Sequence, residues 1–218
     1  VEEKRGEVFL KTVWRPIPAL TLEGSVREEG SAISSDGDVS LEKTLYYTKP
    51  RIAATWAPSA NTQVRVRFER VVGQLNFDDF VATSSLGTGV LTAGNPDLAP
   101  EQAWVTEAAF EQRFWKKGAA VLTVRHFALS DAVDRAPIYG PSGPFDAPSN
   151  IGDGTKDELQ ATLTLPLDRL IPGGELRGDA TWRRSEVTDP TTGAKREISG
   201  LRPLEWEGHF TQDLPRWR

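Results

Sequence analysis

Single-residue alternation of apolar and polar positions dominates this chain. In Thr62–Arg70, Val64, Val66 and Phe68 fall on one side and Arg65, Arg67 and Glu69 on the other. Glu158–Leu165 repeats the pattern, with Leu159, Ala161, Leu163 and Leu165 against Glu158, Gln160, Thr162 and Thr164. Glu175–Ser185 sets Leu176, Gly178, Ala180 and Trp182 against Glu175, Arg177, Asp179, Thr181 and Arg183. Leu204–Leu214 does the same with Leu204, Trp206, Gly208 and Phe210. A period of two belongs to an extended strand whose successive side chains point to opposite faces. No segment sustains the 3.6-residue stripe of a helix. The pattern predicts an all-β chain with nine strands, at about 7–14, 20–27, 43–56, 62–74, 103–114, 119–131, 157–166, 174–187 and 204–213. Several approach the roughly 9–11 residues that a tilted strand needs to cross a bilayer.

The connections alternate as well. Those at Arg15–Ala19, Pro58–Asn61, Trp115–Gly118 and Leu167–Gly173 are short. Those at 28–42, 75–102, 132–156 and 188–203 are long. In an antiparallel up-and-down meander, alternate connections lie on opposite rims, so one rim is trimmed and the other built up. Outer-membrane barrels have this asymmetry, with short periplasmic turns and long extracellular loops. Aromatic placement agrees: Trp14, Trp56 and Trp115 lie at the short-turn rim, and Trp104 follows the long 75–102 connection. Trp182, Trp206, Phe110, Phe114 and Phe210 fall on the apolar face. Amphipathic rings suit membrane interfaces.

Composition narrows the function classes. The 218 residues include 26 Lys+Arg against 31 Asp+Glu, a net charge of −5, with no Cys, no Met and two His. Scattered cations on an acidic chain give no nucleic-acid footprint. The lack of Cys excludes disulfides and thiolate metal sites. His126 and His209 have no metal-pair spacing, and the chain implies no cofactor. A mean hydropathy of −0.41 excludes a spanning helix and leaves a barrel open, since only alternate residues of a barrel strand face lipid. With no Met and a start at Val1 inside a strand-like pattern, the sequence is read as part of a longer chain.

One stretch carries a family resemblance. Gly94-Asn95-Pro96-Asp97-Leu98-Ala99-Pro100-Glu101, followed by Trp104, Glu107 and Phe110, resembles the G-N-P-x-L-x-P-E segment that enters a descending strand in TonB-dependent outer-membrane receptors. Asn150-Ile151-Gly152 before Leu159–Leu163 is similar to the family's next landmark, although the charged run after it is degenerate here, Asp157-Glu158-Leu159. Physically, Pro96 and Pro100 suit a loop returning to a rim, and Asn95 and Asp97 favour local turn bonds. The resemblance implies a partial transmembrane β-barrel, with residues 1–218 as one incomplete barrel domain and no plug domain. It also implies energy-coupled uptake of a bulky ligand such as an iron–siderophore, cobalamin or oligosaccharide, and no enzymatic activity. The partners implied are a plug domain of the same full-length chain, the TonB complex, outer-membrane lipid and the ligand.

Other chemistry is thin. Gly140-Pro141-Ser142-Gly143 only mimics a nucleophile elbow, and Asp36-Gly37-Asp38 and Asp153-Gly154 lack calcium-loop spacing. The polar face would line a lumen with Arg65, Arg67, Glu69, Glu107, Glu111, Arg113, Arg177, Asp179, Arg183, Glu205 and Glu207. Such charges contact plug or substrate, or simply bond across strands. The ligand-binding residues are unassigned. The rival reading is a soluble β-sandwich or lectin-like module, and a β-rich hydrolase is a third. An outward apolar band about 25 Å tall favours the barrel, whereas a closed core with polar outer faces favours the sandwich.

Overall fold

The computed structural model of this protein describes residues 2–35, 41–74, 83–85, 90–92, 95, 97–140 and 143–214. Every regular element among them is a strand. These are β1 (Glu2–Ile17), β2 (Leu20–Ser35), β3 (Leu41–Ser59), β4 (Thr62–Val72), β5 (Thr83–Ser85), β6 (Val90–Thr92) and β7 (Gln102–Phe114). The remainder are β8 (Gly118–Ser130), β9 (Val133–Gly140), β10 (Gly143–Asn150), β11 (Gly154–Pro166), β12 (Gly174–Thr188), β13 (Lys195–Arg196) and β14 (Leu204–Gln212). Nine long strands, β1–β4, β7, β8, β11, β12 and β14, form one antiparallel sheet in chain order, with β13 paired to the end of β12. The sheet is therefore an up-and-down meander with β1 at one edge and β14 at the other. The nine long strands are the nine that alternation predicts.

Register turns the sequence alternation into continuous rows. Trp14, Leu22, Ala54, Val66, Ala108, Val124, Leu159, Trp182 and Leu204 are successive cross-strand partners. Trp56, Val64, Phe110, Leu122, Ala161, Ala180 and Trp206 form the next row toward the short turns. Among the described residues no second sheet covers this face: Val124 is 50% exposed and Trp206 74%. A sandwich would bury it, so the sandwich reading has no core here. On β11 the band runs from Leu165 to Leu159, about 20 Å along the strand at the usual rise. The next outward positions are Asp157 and its partners His126 and Arg184, where the apolar band stops. Trp104 stacks on Phe68 near that boundary, ring centroids 4.8 Å apart, and Trp14, Trp56 and Trp115 stand exposed at the opposite one.

Some predicted boundaries are corrected. β1 starts at Glu2, and the supposed long link 28–42 is mostly strand, because β2 continues to Ser35 and β3 begins at Leu41. Glu2–Arg5 pair with Ser31–Ser34. Past the apolar band both faces are wet, so a strand there need not alternate. The long links 75–102 and 132–156 contain the hairpins β5–β6 and β9–β10. The small buried core lies on the polar-face side at the long-link rim, where Ala103, Val105, Leu129 and Val187 meet Ala132, Ala136 and Ile151.

Candidate functional site

All eleven residues expected to line a lumen share one face. Cross-strand partnering places Arg67, Glu107 and Arg183 in one row. Arg65 lies in the row with Glu205, and Glu111 in that with Asp179 and Glu207. Five of the eleven, Arg67, Glu69, Glu107, Arg183 and Glu205, join a charge ladder with residues the alternation alone did not single out. Lys11 Nζ lies 3.0 Å from Glu23, Arg51 lies 3.6 Å from Glu23 and 3.2 Å from Glu69, and Arg67 lies 2.6 Å from Glu69. Glu107 Oε2 accepts from Arg67 at 2.8 Å and from Arg125 at 2.6 Å. Arg125 and Arg183 then flank Glu158 at 3.5 and 3.4 Å. Arg183 donates to Glu205 at 2.5 Å, and Arg202 closes the series 3.5 Å from Glu205. Positive and negative charges alternate without a break from β1 to β14.

Other expected lumen residues pair locally: Arg113 with Glu111 at 2.8 Å, Arg177 with Glu175 at 2.6 Å, and Asp179 with Thr162 at 2.6 Å. Glu207 meets His209 at 3.2 Å. His126 bonds Asp157 at 2.6 Å on the other face, so the two histidines are not brought together. Asp36, Asp38, Gly94, Pro96, Pro141 and Ser142 lie outside the described residues.

At the long-link rim the two motif segments touch. The Ala99 N–H donates to Asn150 Oδ1 at 2.8 Å, and Asn150 Nδ2 donates to the carbonyls of Ala99 and Asp131, both at 2.9 Å. Asn95 reaches the Pro148 carbonyl at 2.9 Å, and Glu101 accepts the Val133 N–H at 3.2 Å. Leu98 is fully buried, and Lys43 donates to its carbonyl at 2.5 Å. Gly152 takes φ +94°, a backbone that side chains oppose.

A second knot joins the next two loops. Asp134 is buried and accepts from Arg196 at 2.5 Å, from the Ser199 N–H at 3.0 Å and from the Arg135 N–H at 2.8 Å. Burial opposes its ionisation, but the Ser199 N–H and Arg196 outweigh that and hold the carboxyl below the usual range. Asp189 takes Arg196 Nε at 2.9 Å and the Thr192 N–H at 2.8 Å. The Thr192 amide, then Arg196, lower its carboxyl to about 2. The loops following β8 and β12 are thus fastened together above the polar face.

Comparison with known proteins agrees with this arrangement. A family model described as TonB dependent receptor-like, β-barrel, matches residues 2–201. The copper transporter OprC superposes with a TM-score of 0.70 at 11% identity, covering 97% of this chain and 34% of that one. The alcaligin outer-membrane receptor FauA from Bordetella pertussis gives 0.67 at 11%, covering 98% and 35%. The ferric-catecholate import receptor Fiu from E. coli gives 0.67 at 11%, covering 96% and 32%. The chain spans about a third of each. No curated protein matches it.

Proposed function

This chain belongs to the TonB-dependent receptor-like β-barrel family, whose members are outer-membrane transport receptors and not enzymes, and on that premise we propose that residues 1–218 form a stretch of barrel wall in a receptor for energy-coupled uptake of a bulky ligand. The observation that carries the reading is the two-sided sheet. One face is an uncovered apolar band suited to lipid, and the other is a ladder of paired charges suited to a wet lumen. The rim with fastened loops is then extracellular and meets the ligand first, and the short turns face the periplasm. Within such a receptor the lumen face abuts a plug, and the TonB complex acts on parts of the receptor other than this wall. Iron–siderophore, cobalamin and oligosaccharide are the ligand classes proposed.

The test is uptake into cells that lack their own receptors for these ligands and express, in the outer membrane, the whole receptor to which these residues belong. Labelled ferric siderophore, cobalamin and an oligosaccharide are each supplied with and without a protonophore. Accumulation of one of them that the protonophore abolishes supports the reading. Accumulation of none, or entry indifferent to the protonophore, overturns it.

A further inference from the structure

The β7–β8 turn and the β11–β12 turn stand beside each other at the short-turn rim and enclose a cavity of about 460 Å³. Trp115, Leu165, Leu167 and Leu170 give it apolar walls, and Lys116 and Arg169 stand at its margin. Its size lies within the roughly 300–1,000 Å³ of small-molecule sites. Two of its apolar residues are displayed outward: Leu170 is 82% exposed and Trp115 64%. Leu165 is also the last outward position of β11, paired with outward Leu176 on β12. The cavity is therefore continuous with the lipid-facing band.

Its charges are available. Among the described residues, Lys116 and Arg169 make no ion pair. The one acid in the lining, Asp168, accepts the Gly173 N–H at 3.3 Å within its own turn. An apolar cleft that opens off a lipid face, crowned by unpaired cations, has the chemistry to hold an acyl chain below a phosphodiester.

We propose that this cleft is a binding site for an anionic glycerophospholipid of the inner leaflet of the outer membrane. Its acyl chain lies against Trp115, Leu165 and Leu170, and its headgroup lies between Lys116 and Arg169. The choice of leaflet rests on the orientation proposed above, in which the short turns face the periplasm.

The test reconstitutes the whole receptor to which these residues belong in phosphatidylcholine vesicles doped with brominated phosphatidylglycerol or, at equal mole fraction, brominated phosphatidylcholine. Bromine quenches nearby indoles, and the Trp115→Phe variant isolates the Trp115 signal by difference. Trp182 and Trp206, read the same way, report insertion of the wall. The expected result is quenching of Trp115 about fivefold stronger by the anionic lipid, the enrichment that one surface cation confers. A Lys116→Ala, Arg169→Ala variant removes that preference while Trp182 remains quenched, which shows the wall intact. Equal quenching by both lipids, or a preference that survives the variant, overturns the site. Quenching of Trp182 and Trp206 without Trp115 overturns the site and leaves the barrel reading standing. Quenching of none of the three overturns both.

Discussion

Asn150 commits one carbonyl and one amide group to three backbone partners on two other segments, 19 and 51 residues away in sequence. Removing it leaves a half-buried N–H and two carbonyls without partners. Asn150→Ala is expected to destabilise the rim by about 1–3 kcal/mol. The measurement is amide exchange at Ala99 and Ala132, which should quicken while the strand centres stay protected. Asp134 and Asp189 predict a pH response. Both carboxyls are held below their ordinary range, so their contribution is present above that range. It is lost as pH falls through their lowered values, toward about 2 for Asp189. Proteolysis by an acid-active protease should reach the 189–203 loop only as pH drops through that window. Asp134→Asn should open it at neutral pH, where a neutral-active protease reads the change. None of these partnerships is legible in the chain, because alternation fixes a face and says nothing of which residues meet across fifty positions. Asn150 was visible only as part of a motif, and Glu158 only as a polar position on a strand.

At the level of the element, neighbours in sequence have opposite surroundings. Leu122 lies in the apolar row and Val121 on the polar face, opposite Glu111. Leu122→Arg is expected to cost about 2–4 kcal/mol of folding into a bilayer, and Val121→Arg about 1 kcal/mol or less. Denaturant unfolding from vesicles compares the two, and equal costs would contradict the assignment of faces. The long strands were legible because bilayer and lumen enforce alternation along them. The β9–β10 hairpin was not, because Pro137, Pro144 and Pro148 interrupt any strand pattern within the 132–156 connection. In a two-stranded ribbon each strand has a free edge, and a proline whose nitrogen faces that edge removes no ladder bond. The start of β1 was hidden for a different reason. Glu2–Arg5 is charged on both faces, and only pairing with β2 shows it to be strand.

For the whole molecule, the sheet exposes one apolar face and two strand edges, β1 and β14. Residues 1–218 produced alone are expected to aggregate in water and to disperse in detergent. Sedimentation in both media checks this, and a monodisperse water-soluble monomer would contradict it. The polar face has a consequence of its own. Its charges alternate at spacings of a few ångströms, so the potentials of neighbours cancel within a comparable distance, well inside the Debye length of about 8 Å. A charged body moving beside this wall feels almost no sideways pull toward any rung. Along this ladder the wall is electrically quiet, and under the proposed function selection by charge belongs to the rim rather than to the rungs.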